Sequence, residues 1–436
     1  MQPVLFLELN EVNFDYIQEY VNLGFLPNFK NLIDNHGYVE THSETEYEHL
    51  EPWIQWVTAH TGLTLAEHGI FRLGDIVNSD IEQVWEALAD HGISVGAISP
   101  MNAICRGTKW DFFIPDPWTQ TGIVADPIVR RMYRAIAQVV NDNAQERISL
   151  RSLIHLGIGA MLTVRLRSYL TLAKYFFKSF KKPWFRAILL DKLLSELYFN
   201  FLLNKSTQFS TLFLNSAAHI QHHYLFSSSI RTTKIQNPEW YVRKIDDPIL
   251  DVYTAYDEIL GEVFECFPNA RVAVATGLHQ DPHPEITFYW RLKDHAEFLT
   301  KAGIEFERVE PRMSRDFVVF CRDEVSAKRA SELLAAAVTD QAEPVFEVDN
   351  RGSDLFVMLS YPGDMNEVRN IFINQRLFTN IKDDVTFVAI KNGRHNGIGY
   401  FADTGLEKGV CLEPFALSEM PARVFKMFGL TSRINS

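Results

Sequence analysis

Short apolar runs alternate with amphipathic stretches along most of the chain. Pro3–Leu9 (PVLFLEL) is apolar almost from the start and predicts a buried strand, followed at once by polar Asn10, Glu11 and Asn13. A helical stretch ending near Gly24 comes next, and Pro27 then opens a helix over 28–35 that Gly37 closes. The pattern predicts a helix over 81–90 with Gly92 after it, then a strand over 93–98 (ISVGAI) and another over 211–214 (TLFL). Pro248 suits the first turn of a helix around 249–264, and RVAVA predicts a strand at 271–275. Strands separated by helices imply parallel βαβ units and a sheet covered on both faces. Ligands of such sheets sit beyond the carboxyl ends of the strands, so chemistry is sought in the polar residues that follow each strand.

Two regions break the alternation. Residues 125–208 read as mostly helical, and 304–390 read as a small α+β insertion with strands at 317–321, 356–361 and 385–390 and a helix at 325–338. The expected organisation is a core in three pieces, 1–124, 209–303 and 391–436, carrying these two insertions.

Composition narrows the class. With 47% hydrophobic and 22% charged residues the chain can bury a sizeable core, which excludes a disordered, collagen-like or disulfide-stapled protein. A net charge of −13 argues against a general nucleic-acid binder. Cys105, Cys266, Cys321 and Cys411 are far apart, without CxxC or structural-zinc spacing, and read as free thiols of a reducing compartment. The N-terminus lacks the marks of a signal peptide and no run of 18 apolar residues occurs, so the expected location is cytoplasmic. One segment opposes the overall charge. From Arg151 to Arg186 there are eight Lys/Arg and no Asp or Glu, interleaved with Tyr169, Tyr175, Phe176, Phe177, Phe180, Trp184 and Phe185. Segregated charge with apolar anchors predicts peripheral attachment to an anionic membrane surface, at the inner membrane face; a helical lid packing its aromatics on the core is the alternative.

The strand-end motifs are LPNFKNLIDNHG (Leu26–Gly37), EPWIQWVTAHTG (Glu51–Gly62), EHGI (Glu67–Ile70), NSAAHIQHHY (Asn215–Tyr224), ATGLHQ (Ala275–Gln280) and RHNGIGYFADTG (Arg394–Gly405). In this order they resemble the alkaline phosphatase superfamily, in particular its type I phosphodiesterase/nucleotide pyrophosphatase branch. The resemblance covers most of 1–125, 210–300 and 390–410. It implies an alkaline-phosphatase-like α/β sandwich with a mostly parallel central sheet. It also implies a two-metal hydrolase with a carboxylate after the first strand, a Thr or Ser nucleophile, an Asp-x-x-x-His pair, an Asp-His pair and a final His. The chain departs from that pattern. Asn10, beside Glu11, holds the first carboxylate position, and the nucleophile position falls at Pro52, next to Glu51. Thr45, Thr58 and Thr61 are out of register. The Asp-x-x-x-His pair lies on Asn215 and His219, or on Ala218 and His222, without its Asp. The Asp-His pair falls at Gly277-Leu278 unless His279 substitutes; the final His is kept as His395.

The remaining residues still offer metal chemistry. His219, His222 and His223 follow a predicted strand, and histidines at i, i+3 or i, i+4 share a helix face. With His395 they make a set of imidazoles suited to Zn²⁺, or Mn²⁺, with a position open for water. Asn10 and His279 complete the candidate metal residues. Glu11 and Glu51 are candidate bases and Arg394 a candidate phosphate ligand. Trp53, Trp56, Arg72, Asp281 and His283 are candidate substrate contacts. The expected function is a metal-dependent phosphoesterase-like hydrolase of a phosphodiester, pyrophosphate or phosphorylated sugar, with direct attack by water. Two rivals are a glycan or lipid-linked-intermediate transferase on the same fold and a metal-free binding protein.

Overall fold

The computed structural model describes residues 2–107, 109–141, 150–231, 233–312, 315–373, 376–406 and 413–431. The chain forms two compact units, one from 1–140, 148–282 and 393–436 and a smaller one from 141–147 and 283–392.

The first strand, Val4–Leu9, is buried on both faces, as its unbroken apolar run requires in a covered parallel sheet. Leu5, Leu7 and Leu9 face one apolar layer and Val4 and Phe6 the other, the period-two alternation of a strand. The strand pairs in parallel with Phe209–Leu214 on one side and Arg271–Ala275 on the other. Val95–Ile98 and then Trp110–Ile114 continue the parallel sheet beyond Phe209–Leu214. On the other side Ile398–Asp403 adds antiparallel to Arg271–Ala275, followed by Val39–His42 and Phe415–Ala416. The result is an eight-stranded, mixed but mostly parallel sheet between helical layers, the α/β sandwich that the motif series implies.

This topology gathers the motifs at one edge. Residues after Leu9, Leu214 and Ala275 leave carboxyl ends of parallel strands, whereas those before Ile398 enter an antiparallel strand from the same edge. Helix Pro52–Thr61 lies over the sheet with Trp56 and His60 one turn apart, above Glu8 and Asn10 of the first strand. Trp56 Nε1 donates to Asn10 Oδ1 at 2.7 Å, and His60 Nε2 meets Glu8 Oε1 at 2.9 Å, both contacts being buried.

The helical region 125–208 contains helices Pro127–Asn141, Leu150–Thr163, Tyr169–Ser179 and Phe185–Asn204. The last buries Ile188, Leu197, Tyr198 and Phe199 in the same apolar layer as Leu5 and Leu7. In the smaller unit, Arg308–Pro311, Asp316–Phe320, Asp354–Leu359 and Phe346–Asn350 form an antiparallel sheet beside helix Glu324–Ala335. That helix starts where the Asp323 carboxylate accepts the Ser326 N–H, and it stops before the 338 expected from sequence. Cys105, Cys266 and Cys321 are free thiols; Cys411 lies outside the described residues.

Candidate metal centre at the carboxyl edge of the sheet

Directly after the first strand the backbone turns through Glu11 in the left-handed region, at φ 59°. That conformation costs a non-glycine residue about 1–2 kcal/mol and is held by partners on both sides. The Glu11 N–H donates to Thr276 O at 3.1 Å, and its carbonyl accepts Gln221 Nε2 at 2.7 Å. Gln221 is fixed in turn by Tyr253, whose hydroxyl donates to Gln221 Oε1 at 2.9 Å.

The turn sets the Glu11 carboxylate, 1% exposed, against two imidazoles. His222, from helix Ser216–Tyr224, and His395, near the end of strand Val385–Asn396, each place Nε2 3.4 Å from Glu11 Oε2. The two Nε2 atoms are 3.2 Å apart. Although burial opposes its charge, His395 and His222 hold the Glu11 carboxyl well below the usual carboxylate range. Gln280 Nε2 donates to Glu11 Oε2 and to Ala218 O, and Asn10 Nδ2 donates to Glu11 Oε1 at 3.3 Å. Position 393 must be glycine in this arrangement, because a Cβ there would sit 1.8 Å from Gln280 Oε1.

Among the described residues, Glu11, His222 and His395 are the one set of three or more acidic, His or Cys side chains drawn together tightly enough to hold an ion. A tetrahedral zinc site with bonds of about 2.0–2.1 Å separates its ligand atoms by about 3.3–3.4 Å, so the donor set fits one such ion. The fourth position would be open.

Among the described residues no second set of donors is drawn together for the other ion of the implied two-metal pattern. The indole N–H of Trp56 is donor-only, so the Asn10 atom facing it is Oδ1 and Nδ2 faces outward. Asn10 Nδ2 donates to Asn215 Oδ1 at 2.8 Å, which joins the two amides standing in carboxylate positions. At Gly277 a Cβ would meet the Trp56 ring at 3.2 Å, so an Asp there would displace the indole. Asn10 is therefore committed to Trp56 and Asn215 and stands outside the Glu11–His222–His395 triangle.

The other sequence candidates are dispersed. His219 is exposed and its ring meets that of His223, with centroids 4.9 Å apart. His279 is buried, with Nδ1 donating to Ile398 O at 2.6 Å and Nε2 3.4 Å from Asp281 Oδ1. Asp281 also accepts Asn396 Nδ2 at 2.8 Å, and the His279 contact holds its carboxyl below the usual range. His283 belongs to the smaller unit and faces Glu285 O at 2.9 Å. Trp56 is fully buried against Phe213 and His60, which corrects its reading as a substrate contact: the ring has no free face. Trp53 is half-buried, donating to Phe71 O, and Arg72 is exposed. Glu51 immediately precedes helix Pro52–Thr61. Glu51 and exposed Arg394 both act on the Tyr47 hydroxyl, which burial pushes up first, Glu51 pushes up further and Arg394 pulls down. Gln221, Gln280 and Tyr47 were not singled out by sequence. An amide or phenol carries no ligand signature, and only its pairing with a candidate acid shows its part.

No family model matches the chain, and no curated protein sequence matches it. Among solved structures it is similar to murine ectonucleotide pyrophosphatase/phosphodiesterase 5, with 12% identity and a TM-score of 0.44 over 99% of this chain and 96% of that one. An inactive form of that protein in complex with AMP gives 13% identity and a TM-score of 0.43 over the same shares. Phosphonoacetate hydrolase from Sinorhizobium meliloti 1021, in complex with phosphonoacetate, is 11% identical, with a TM-score of 0.45 over 96% of this chain and 94% of that one.

Proposed function

We propose that this chain is a hydrolase of phosphoryl compounds, of the phosphodiester, pyrophosphate or phosphorylated-sugar class, working with one divalent cation held by Glu11, His222 and His395. The supporting observation is the ligand triangle, whose sides of 3.2, 3.4 and 3.4 Å suit a single tetrahedral ion with an open position. The motif resemblance supplies the substrate class. A bound zinc or manganese would polarise a phosphoryl oxygen and lower the pKa of water at that position.

The chain's own residues have separate tasks. Gln280 and Gln221 fix the Glu11 carboxylate and backbone, so the donors are set before an ion arrives. Glu51 takes the proton of the attacking water. It precedes the amino end of a ten-residue helix, where an anionic phosphoryl group is also favoured. Arg394, next to His395, pairs with phosphoryl oxygens. With no hydroxyl at positions 51 and 52, the water oxygen would bond to phosphorus directly as the P–O bond to the leaving alcohol or phosphate breaks, and no covalent phospho-enzyme would form.

The test is turnover of bis(p-nitrophenyl) phosphate, p-nitrophenyl phosphate, pyrophosphate and sugar phosphates by protein reconstituted with zinc or manganese. Metal-dependent hydrolysis that falls about 10²–10⁴-fold in Glu51→Gln, with metal content unchanged, is the expected result. Protein that binds the ion at Glu11, His222 and His395 yet turns over none of these compounds would defeat the hydrolase reading.

A further inference from the structure

The basic, aromatic segment divides into two faces. Tyr175, Trp184 and Phe185 are buried, and the Tyr175 and Phe185 rings pack 5.4 Å apart. Much of the positive charge is also used internally. Arg165 pairs with Glu196 at 2.6 Å and with Glu262, Arg167 with Glu265 at 3.1 Å, and Lys182 with Asp246 and Asp251 at 3.1 and 3.0 Å. Lys178 lies over the Phe185 ring at 4.5 Å. The side chain of Arg151 lies outside the described residues.

What remains points outward and is apolar. Helix Tyr169–Ser179 buries Leu172, Tyr175 and Ser179 on one side. On the opposite side, at about 100° per residue, fall Leu170 and Phe177, 84% and 68% exposed, and Phe180 at the C-cap beside them is 69% exposed. Phe176, also exposed, packs edge-on against Phe180 at 5.0 Å. Leu166, one turn before Leu170, is 89% exposed. A helix that turns its apolar face to solvent is the reverse of an ordinary surface helix. Exposed Lys174 and Lys181 flank this face, and among the described residues neither has an ion-pair partner.

We propose that this face is a membrane-docking surface, laid flat in the headgroup region of an anionic bilayer. Leu166, Leu170, Phe177 and Phe180 enter the acyl boundary, while Lys174 and Lys181 reach phosphate or serine headgroups. Charge selects this occupant. A second copy of the chain would bring the same lysines face to face, whereas an anionic lipid surface complements them. Insertion is interfacial and not spanning, since among the described residues no helix is long and apolar enough to cross a membrane. This inference stands apart from the metal site and does not need the hydrolase reading.

The test is co-sedimentation of the whole chain with vesicles of phosphatidylcholine alone and with 30% phosphatidylserine added, at low and high salt. Binding to the anionic vesicles only, weakened by salt, is expected. Lys174→Glu with Lys181→Glu should weaken it by more than about 25-fold, taking about fivefold for each lost lysine. Leu170→Ser with Phe177→Ser should abolish it; these side chains are exposed, so both double variants should keep the parent's melting temperature. No binding to anionic vesicles at low salt would overturn the proposal. So would binding that neither double variant weakens. Concentration-dependent dimerisation lost in the Leu170/Phe177 variant, without vesicle binding, would assign the face to a second copy instead.

Discussion

Replacing His395 with Ala tests the metal centre most directly. His395 stands at the final-His position that the motif resemblance implies, and its Nε2 completes a triangle with Glu11 and His222. Zinc held by four protein ligands is worth about 10–16 kcal/mol, roughly 2.5–4 kcal/mol per donor. One donor of three lost should therefore weaken binding by about 10²–10³-fold. The variant should nonetheless fold, because His395 lies near the end of strand Val385–Asn396 and outside the apolar layers. Gln280→Leu touches no ion itself but removes the amide donor to Glu11; support of this kind is worth about 10–100-fold in metal affinity. His219→Ala, outside the donor triangle, should stay within about threefold of the parent. Zinc competition against a chromophoric chelator, with elemental analysis after dialysis, measures all three. The order expected is His395→Ala weakest, Gln280→Leu intermediate, His219→Ala unchanged. Full zinc occupancy in a His222→Ala, His395→Ala double variant, or parent protein that takes no zinc or manganese at millimolar concentration, would refute the reasoning.

Three further outcomes follow. Burial pushes the His68 imidazole from 6.5 down to about 4, and its Nδ1 already accepts the Ile70 N–H at 2.9 Å, so the folded chain holds it neutral while the unfolded chain protonates it. Its stabilising contribution is present above pH 6.5 and lost progressively towards pH 4, by about 3 kcal/mol in total; denaturation midpoints across that range should show the slope, and His68→Asn should flatten it. Thr45→Ala, Thr58→Ala and Thr61→Ala should each keep phosphoesterase activity within about tenfold, since Thr61 Oγ1 bonds Val57 O, Thr58 contacts His68 and Thr45 is exposed; a loss of ~10³ at any one would restore a covalent route. Asn10→Asp with Asn215→Asp would set two carboxylates about 3 Å apart, a repulsion of at most about 6 kcal/mol at an effective dielectric near 20. That variant should melt lower in chelator and recover with zinc or manganese, and equal melting with and without cation would count against the argument.

The apolar runs made the central strands legible, and 271–275 matches its expected limits. Limits failed where side chains or backbone groups set them locally. The helix expected from 81 starts at Val84, because Gln83 N–H is capped by the Glu86 carboxylate. The strand expected from 93 starts at Val95, because Ile93 N–H still bonds Leu88 O at the end of that helix. At the sheet edge, His222, His395 and Glu11 were each visible as polar residues beside a predicted strand. Their meeting was not, since 173 residues separate the two histidines and the left-handed turn at Glu11 leaves no mark in its side-chain type. The segregation of charge over 151–186 was plain in sequence. Which aromatics are buried was not, because alternate faces of one helix carry Tyr175 and Phe177.

The single-ion reading of the site has a physical logic of its own. A cleft lined by several carboxylates is stable only if cations neutralise them, and the implied two-metal pattern has that property. Here the positions that would add anions hold Asn10 and Asn215, which satisfy each other at 2.8 Å and require no cation. A third such position is Gly277, and the Trp56 ring covers it while donating to Asn10. The indole thus does two jobs: it fills space that a metal-binding side chain would need, and it fixes the amide so that its nitrogen meets Asn215. One buried carboxylate is left, Glu11, with amide donors and two imidazoles around it. Against the implied pattern, the chain has fewer anionic groups and fewer donor sets in step: one buried carboxylate at this edge and, among the described residues, one set that could hold an ion. The site is therefore consistent in charge as a single-ion centre, whereas a second cation would face neutral amides and a tryptophan.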